Sequence, residues 1–220
     1  MAIVARTAST PAENASAQTI TATRPSDAVS GDLYIAFFAI PGTPAQFTPP
    51  ATWTQVFAPI DTGAGETLGV YYKFSASADA TASTSPSASR CTGFMQAWSG
   101  VDTVTPLDVV GTPQAVTATS IVLTAITIIT ANALLISCAA ADTASRTWTI
   151  PSGMTVIKQY SHGTVGRALA AASETRAAGT TGTRTWVFTS ETSLARCGNN
   201  FALRPASAVT PDKSSFFEFL

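Results

Sequence analysis

"GDLYIAFFA" at residues 31–39 and "ANALLISCA" at residues 131–139 carry the reading of the fold. Each sets a turn-forming pair, Gly31-Asp32 or Ala131-Asn132, before a short apolar run bounded by loop chemistry, which is the pattern of a buried strand. The likeness extends through both halves in a constant order. "PPATWTQV" (49–56) answers to "IPSGMTVI" (150–157), "VYYKFSASADA" (70–80) to "ALAAASETRAA" (168–178), and "SRCTGFMQAW" (89–98) to "ARCGNNFALR" (195–204). The chain therefore reads as two similar β units, repeat one at about 16–110 and repeat two at about 111–206. A lone four-stranded sheet leaves one apolar face in water, and two such sheets face to face bury both. The expected architecture is an all-β, jelly-roll-like antiparallel β-sandwich over residues 1–206, followed by a C-terminal arm at 207–220.

The repeat decides one local conflict. "VGRALAAASETRAAG" (165–179) is Ala-rich and reads as helix on propensity, yet its counterpart "LGVYYKFSASAD" is a strand, so strand is expected. Other strands are expected at "TITAT", "WTQVF", "FMQAW", "LDVV", "SIVLTAITII", "TWTI", "TVIKQY", "RTWVFT" and "NFALR". Loops are expected at "PGTPAQFTPPA", "DTGAGE", "SADATASTSPSAS" and "RAAGTTGT". The shared Arg-Cys places Cys91 and Cys197 at equivalent positions as small buried hydrophobes, with Arg90 and Arg196 at strand starts facing the rim.

Composition narrows the function. Of 220 residues 45% are hydrophobic, enough for a substantial core, and only 11% are charged. Twelve basic and thirteen acidic side chains leave a net charge of −1 without a basic stripe, so nucleic acid is not an expected partner. The first residues, "MAIVARTASTPAENAS", lack the apolar stretch of a secretory signal, which points to assembly in a cytoplasm. Residues 109–141 are uncharged, but dense Thr, Asn132 and the alternation of Ile126 and Ile128 with Thr127 read as strand, turn and strand rather than a membrane helix.

Catalytic and cofactor chemistry finds little purchase. The lone histidine, His162, lies in "YSHGTVG" with no G-x-S-x-G elbow to make a hydrolase. Cys91, Cys138 and Cys197 lack C-x-x-C spacing and are odd in number, so neither zinc nor a disulfide framework is expected. Gly63, Gly65 and Gly69 miss a nucleotide fingerprint by one residue and read as a hairpin turn. Asp61, Glu66, Asp79, Asp102, Asp108, Asp142, Glu174 and Glu191 are scattered through loops without a calcium run. Of the tryptophans, Trp53, Trp98 and Trp186 sit in apolar alternation and read as core, while Trp148 in "SRTWTIPSG" is open to a surface, sugar-stacking role. No catalytic, cofactor or metal residue is assigned.

The ordered set "GDLYIAFF", "ATWTQV", "VYYKFSAS", "AWSGVDTVTPLDV", "NALLISCAAAD", "IPSGMTVI" and "NFALRPA", over about residues 28–206, resembles the jelly-roll structural proteins of tailed bacteriophage particles. Where that group often carries an aromatic-Arg-Gly-Val-Asp turn, this chain has Trp98, Ser99, Gly100, Val101 and Asp102. The resemblance implies a non-enzymatic virion protein assembled in a host bacterial cytoplasm. The first expectation is a head decoration or cement protein that contacts the major capsid protein or neighbouring copies, as a homo-oligomer such as a trimer. The alternative is a receptor- or carbohydrate-binding module of a tail fibre or other appendage. The tail "PASAVTPDKSSFFEFL" ends in Phe216, Phe217, Phe219 and Leu220, an apolar cluster that must be covered and is the expected partner-docking element.

Overall fold

The computed structural model describes residues 1–14, 19–63, 65–75, 82–86, 90–143, 147–161, 167–188 and 193–207. All strand pairing among them is antiparallel. One larger sheet runs β1 (Val4–Ala5), β10 (Cys91–Ser99), β4 (Leu33–Pro41), β8 (Glu66–Phe74), β6 (Thr54–Gln55), with β2 (Ala12–Asn14) also on β10 and β7 (Ile60–Asp61) also on β8. The other runs β11 (Leu107–Val110), β21 (Leu194–Leu203), β15 (Ala133–Ala141), β18 (Ala168–Arg176), β17 (Thr155–Ser161), with β12 (Gln114–Ala118) also on β21. Two small sheets accompany them: β3 (Ile20–Ala22), β9 (Ala82–Pro86) and β5 (Phe47–Thr48), and β13 (Ser120–Leu123), β20 (Arg184–Phe188) and β16 (Trp148–Thr149). A short ladder joins β14 (Thr127–Ile128) to β19 (Gly179–Thr180), and a single 3-10 turn spans Pro44–Gln46.

The two larger sheets pack face to face. Leu33, Ile35, Phe37, Leu68, Val70, Phe94 and Trp98 of the first meet Leu134, Ile136, Cys138, Leu169, Phe201 and Leu203 of the second in one central core. The alternate residues of β4 and β15 are not left in water. Tyr34, Ala36, Phe38 and Ile40 pack with Ile20 and Ala22 of β3, and Leu135, Ala139 and Ala141 pack with Ile121, Leu123 and Trp186 of the second small sheet. This corrects the expected logic of two one-sided sheets: each larger sheet already carries its own cover, and the molecule is four layers deep. Covering both faces explains why β4 and β15 are buried at all nine positions, where a half-solvated strand would alternate.

The Ala-rich 168–176 segment is a strand, as its counterpart required. Packing supplies the reason for its composition. Ala168, Ala170 and Ala172 share a core with Trp148, Trp186 and Phe188, and small residues on one layer accommodate the large rings of the other. Trp186 donates its indole N–H to Ser137 Oγ at 2.8 Å, so its buried polar atom is satisfied.

Several expectations need correction. "SIVLTAITII" is two strands, because the chain leaves β13 at Thr124 and turns inward to bury Ile126 and Ile128. Val4–Ala5, Ala12–Asn14 and Gln114–Ala118 are strands that were not expected, and Ala82–Pro86 is a strand inside an expected loop. These segments are short or polar and acquire strand geometry by pairing with β10, β21 and β3. Leu107–Val110, expected in repeat one, pairs with β21 of the second larger sheet.

The Arg-Cys pairs are not equivalent. Ala39 and Ala140 both face the central core, and Thr92 stands opposite the first whereas Cys197 stands opposite the second, so by face the two motifs sit one residue out of step. A one-residue offset sends side chains to opposite faces. Cys91 accordingly lies in the outer core beside Tyr34 and Phe38, while Cys197 lies in the central core; both are fully buried. Arg90 is exposed just before β10, as expected, with φ at 81°. Arg196 is instead inside β21 and 0% exposed.

Candidate functional site

Two places in the described chain concentrate polar or exposed chemistry, and they lie at opposite ends of β4 and β15. The first is where β4 and β15 finish. Pro41 pairs with Glu66 at the start of β8, and one residue past Ala141 the chain reaches Asp142, beside Arg167 at the start of β18. Arg167 reaches across between the two larger sheets. Its Nε lies 3.0 Å from Glu66 Oε2, its Nη1 is ion-paired with Asp142, and its Nη2 donates to Gly65 O at 3.2 Å. The Arg167 carbonyl accepts from Thr92 Oγ1 of β10 at 3.1 Å, so both sheets hold this residue.

Glu66 is 0% exposed. Burial pushes its carboxyl up to about 8, with the Arg167 charge and hydrogen bonding pulling the other way. A carboxyl poised near neutral pH is what a general acid requires, yet no substrate atom can reach a fully enclosed side chain. The arrangement works as a clamp between the sheets.

The second place is the end where β4 and β15 begin. Here Ala206 N donates to Gly100 O at 2.8 Å, Met1 N donates to Ala206 O at 2.9 Å, and Asp102 N donates to Arg204 O at 2.9 Å. Gly100 is required: its φ is 75°, and a Cβ there would stand 2.2 Å from Ala2 O. The Asp102 carboxylate accepts from Val104 N at 2.8 Å and Thr105 N at 2.9 Å, and these two backbone donors hold it below the usual carboxylate range. Asp108 accepts from Ile129 N and Thr130 N and faces Arg204 at 3.4 Å. Its burial pushes the carboxyl up, but the bonds from Thr130 and Ile129 together with Arg204 outweigh it and the net direction is down.

A cavity of about 360 Å³ opens at this end between Met1, Ala2, Ile3, Asn132 and Thr175. Of its lining residues Met1 is 65% exposed; Val104 at 88%, Ile129 at 66% and Val4 at 54% are exposed apolar side chains elsewhere in the described chain.

The residues singled out from sequence fall as follows. His162, Asp79 and Glu191 lie outside the described residues, as do Phe216, Phe217, Phe219 and Leu220 of the C-terminal arm. Gly63 and Gly65 have φ of 69° and 96° in the turn between β7 and β8, so the hairpin reading holds. Asp61 is tied to that turn through Gly63 N at 2.7 Å, and Glu174 is ion-paired with Arg184 and Arg176. Trp98 and Trp186 are core, Trp53 is half-buried against the outer core, and Trp148 is also core rather than surface. Its ring packs edge-on to Trp186 at 5.9 Å and to Phe188 at 4.5 Å. Among the described residues no group of three His, Cys, Asp or Glu could hold a metal, and no helix is long and apolar enough to cross a membrane. Arg167 escaped the sequence reading because no motif marks it; its signal is its place one residue before β18, matching Glu66 at the start of β8. No family model, curated protein or solved structure matches this chain.

Proposed function

We propose that the chain is a non-enzymatic structural protein of a tailed-bacteriophage particle, a head decoration or cement protein, built as a jelly-roll-like sandwich of two similar repeats. Support for the repeats comes from strand order. β1-β10-β4-β8-β6 has its counterpart in β11-β21-β15-β18-β17, β2 on β10 in β12 on β21, and β3-β9-β5 in β13-β20-β16, all in the same chain order. The turns agree as well. Thr52 and Gly153 both hold positive φ, 67° and 81°, and Trp53 N and Met154 N each donate to the prolyl carbonyl three residues back at 3.3 Å.

The observation that carries the structural role is that the chemistry of the described residues is turned inward. Glu66 and Arg167 clamp the two larger sheets, Arg184 and Glu174 pair with each other, and the three cysteines are buried. What remains outside is a surface poor in charge, with scattered Val and Thr, which suits contact with other protein surfaces in a many-copy particle. The receptor- or carbohydrate-binding alternative draws less support, because none of the four tryptophans offers a fully exposed ring for a sugar.

The test is to mix purified protein with particles that lack it and separate bound from free by sedimentation, with a glycan array in parallel. Saturable binding to undecorated heads is the expected result. Glycan or host-cell binding without head binding would overturn it in favour of the appendage module.

A further inference from the structure

We propose that β12 (Gln114–Ala118) is an interaction edge on which a second copy of this chain pairs, strand to strand and antiparallel, about a two-fold axis through Val116. The proposal goes beyond the virion reading and rests on no part of it. β12 is an outer strand. Its ladder to β21 runs from Gln114 opposite Gly198 to Ala118 opposite Leu194, and among the described residues no other strand pairs with it. The outer side of such a strand presents a row of N–H and C=O groups, a template for a further strand. Ala115, Val116 and Thr117 are exposed, while Gln114 and Ala118 are half-buried. The strand is also held in place: Gly111 N donates to Asn200 O at 2.8 Å and Asn199 Nδ2 donates to Gly111 O at 3.0 Å, which ties the preceding chain to the same β21.

The other outer strands of the two larger sheets carry devices that stop a sheet from growing. β1, β6 and β7 are two residues long, and β2 is three residues long and includes Glu13. β11 has a register shift at Leu107/Val109 and carries Asp108, and β17 has one at Val156/Lys158 and carries Lys158. Short length, irregularity and charge each discourage pairing. β12, "QAVTA", has five residues in regular register, with no charge and no proline, inside a stretch uncharged from Val109 to Ala141.

A second copy is the occupant because the strand is its own complement. Antiparallel pairing centred on Val116 sets Val116 against Val116, Ala115 against Thr117 and Gln114 against Ala118, so no like charges meet and two β-branched side chains pack at the axis. It joins two six-stranded sheets edge to edge. The same pairing of β17 about Lys158 would set lysine against lysine. Two strands of five residues form a small contact of the transient class, so the dimer is expected to be weak and concentration-dependent.

The test is sedimentation equilibrium of the full chain over a concentration series, with amide exchange read at residues 114–118. Two double variants carry it, Ala115→Lys with Thr117→Lys and Ala115→Glu with Thr117→Glu. Because position 115 faces 117 of the second copy, each double variant sets like charges opposite one another, and an equal mixture of the two sets opposite charges there. The substituted side chains are exposed, and circular dichroism verifies the fold. The native chain should dimerise as its concentration rises, with exchange slowed at β12. Each double variant alone should associate about tenfold more weakly or worse, and the mixture should recover association as a heterodimer. A native chain that stays monomeric, a dimer that both double variants keep, or a loss that mixing does not restore would overturn the proposal. Val116→Glu sets glutamate on glutamate at the axis. If a double variant fails to fold, a dimer unchanged by this single substitution overturns the proposal just as well.

Discussion

Raising the pH through neutrality should loosen this protein, and the cause is Glu66. Its carboxyl is moved from an ordinary value of 4.5 up to about 8 by complete burial. Because the folded value lies above the unfolded one, the folded state holds the proton more tightly. The associated stability is fully present below about pH 4.5 and is lost as the pH rises toward and through about 8. Each pH unit in that window is worth at most about 1.4 kcal/mol, so the whole window approaches about 5 kcal/mol. For a chain of this size 1 kcal/mol moves the melting temperature by about 2–4 °C, giving a fall on the order of 10 °C across the window. Asp27, Asp102 and Asp108 are shifted down instead, so their contribution is lost only as the pH falls into the carboxylate range and does not mask the effect. Glu66→Gln keeps the shape of the neutral carboxyl and leaves Arg167 its contacts with Asp142 and Gly65. Scanning calorimetry from pH 4.5 to 8 should show a falling melting temperature for the native chain and a flat one for the variant. Equal slopes, or a native melting temperature that climbs with pH, would refute the assignment of Glu66 as a neutral buried acid.

Other outcomes follow from single contacts. Arg196 is fully buried, its Nη1 donates to Leu194 O at 3.0 Å and its guanidinium lies over the Phe188 ring at 5.3 Å, but Nε and Nη2 have no hydrogen-bond partner among the described residues. Arg196→Met should therefore be neutral or stabilising by about 1–3 kcal/mol in urea unfolding, and a loss of that size would count against the reading. A Cβ at Gly198 would stand 2.6 Å from Cys138 O and 3.0 Å from Leu123 Cδ2. Gly198→Ala should cost about 1–3 kcal/mol or more by the same assay, since a backbone oxygen cannot step aside. Burial pushes the Cys91 thiol up to about 11 and the Cys138 thiol up to about 12, and all three cysteines are buried. A thiol reagent should label none of them in the folded chain and all three after unfolding.

What the sequence disclosed and what it hid separate along physical lines. β4 and β15 were legible because a turn and an apolar run bound them, but the expectation of two one-sided sheets passed over their lack of polar alternation, which is the mark of cover on both faces. The cover itself was not legible: β9 is "ASTSP" and β3 is three residues long, too polar or too short to announce a strand. Register was hidden for a different reason. Likeness of letters aligned Leu33 with Ala133, whereas the central core brings Leu33 together with Leu134, Ile136 and Cys138, and only the next residue along shares its face. In a strand buried on both sides, Ala, Cys and Ser suit either face, so composition cannot detect a slip of one. That slip is what misplaced Cys91 against Cys197 and put Arg196 on the rim. With the corrected step, Glu66 and Arg167 fall on corresponding positions of the two proposed repeats, and they are also the two residues that meet between the sheets. Two identical halves would bring two guanidiniums or two carboxyls together at that point, with no water to solvate them. A carboxyl on one half facing a guanidinium on the other removes that conflict. It also makes the pairing of half one with half two better than either half with its own kind, so the clamp favours association within a chain over exchange between chains.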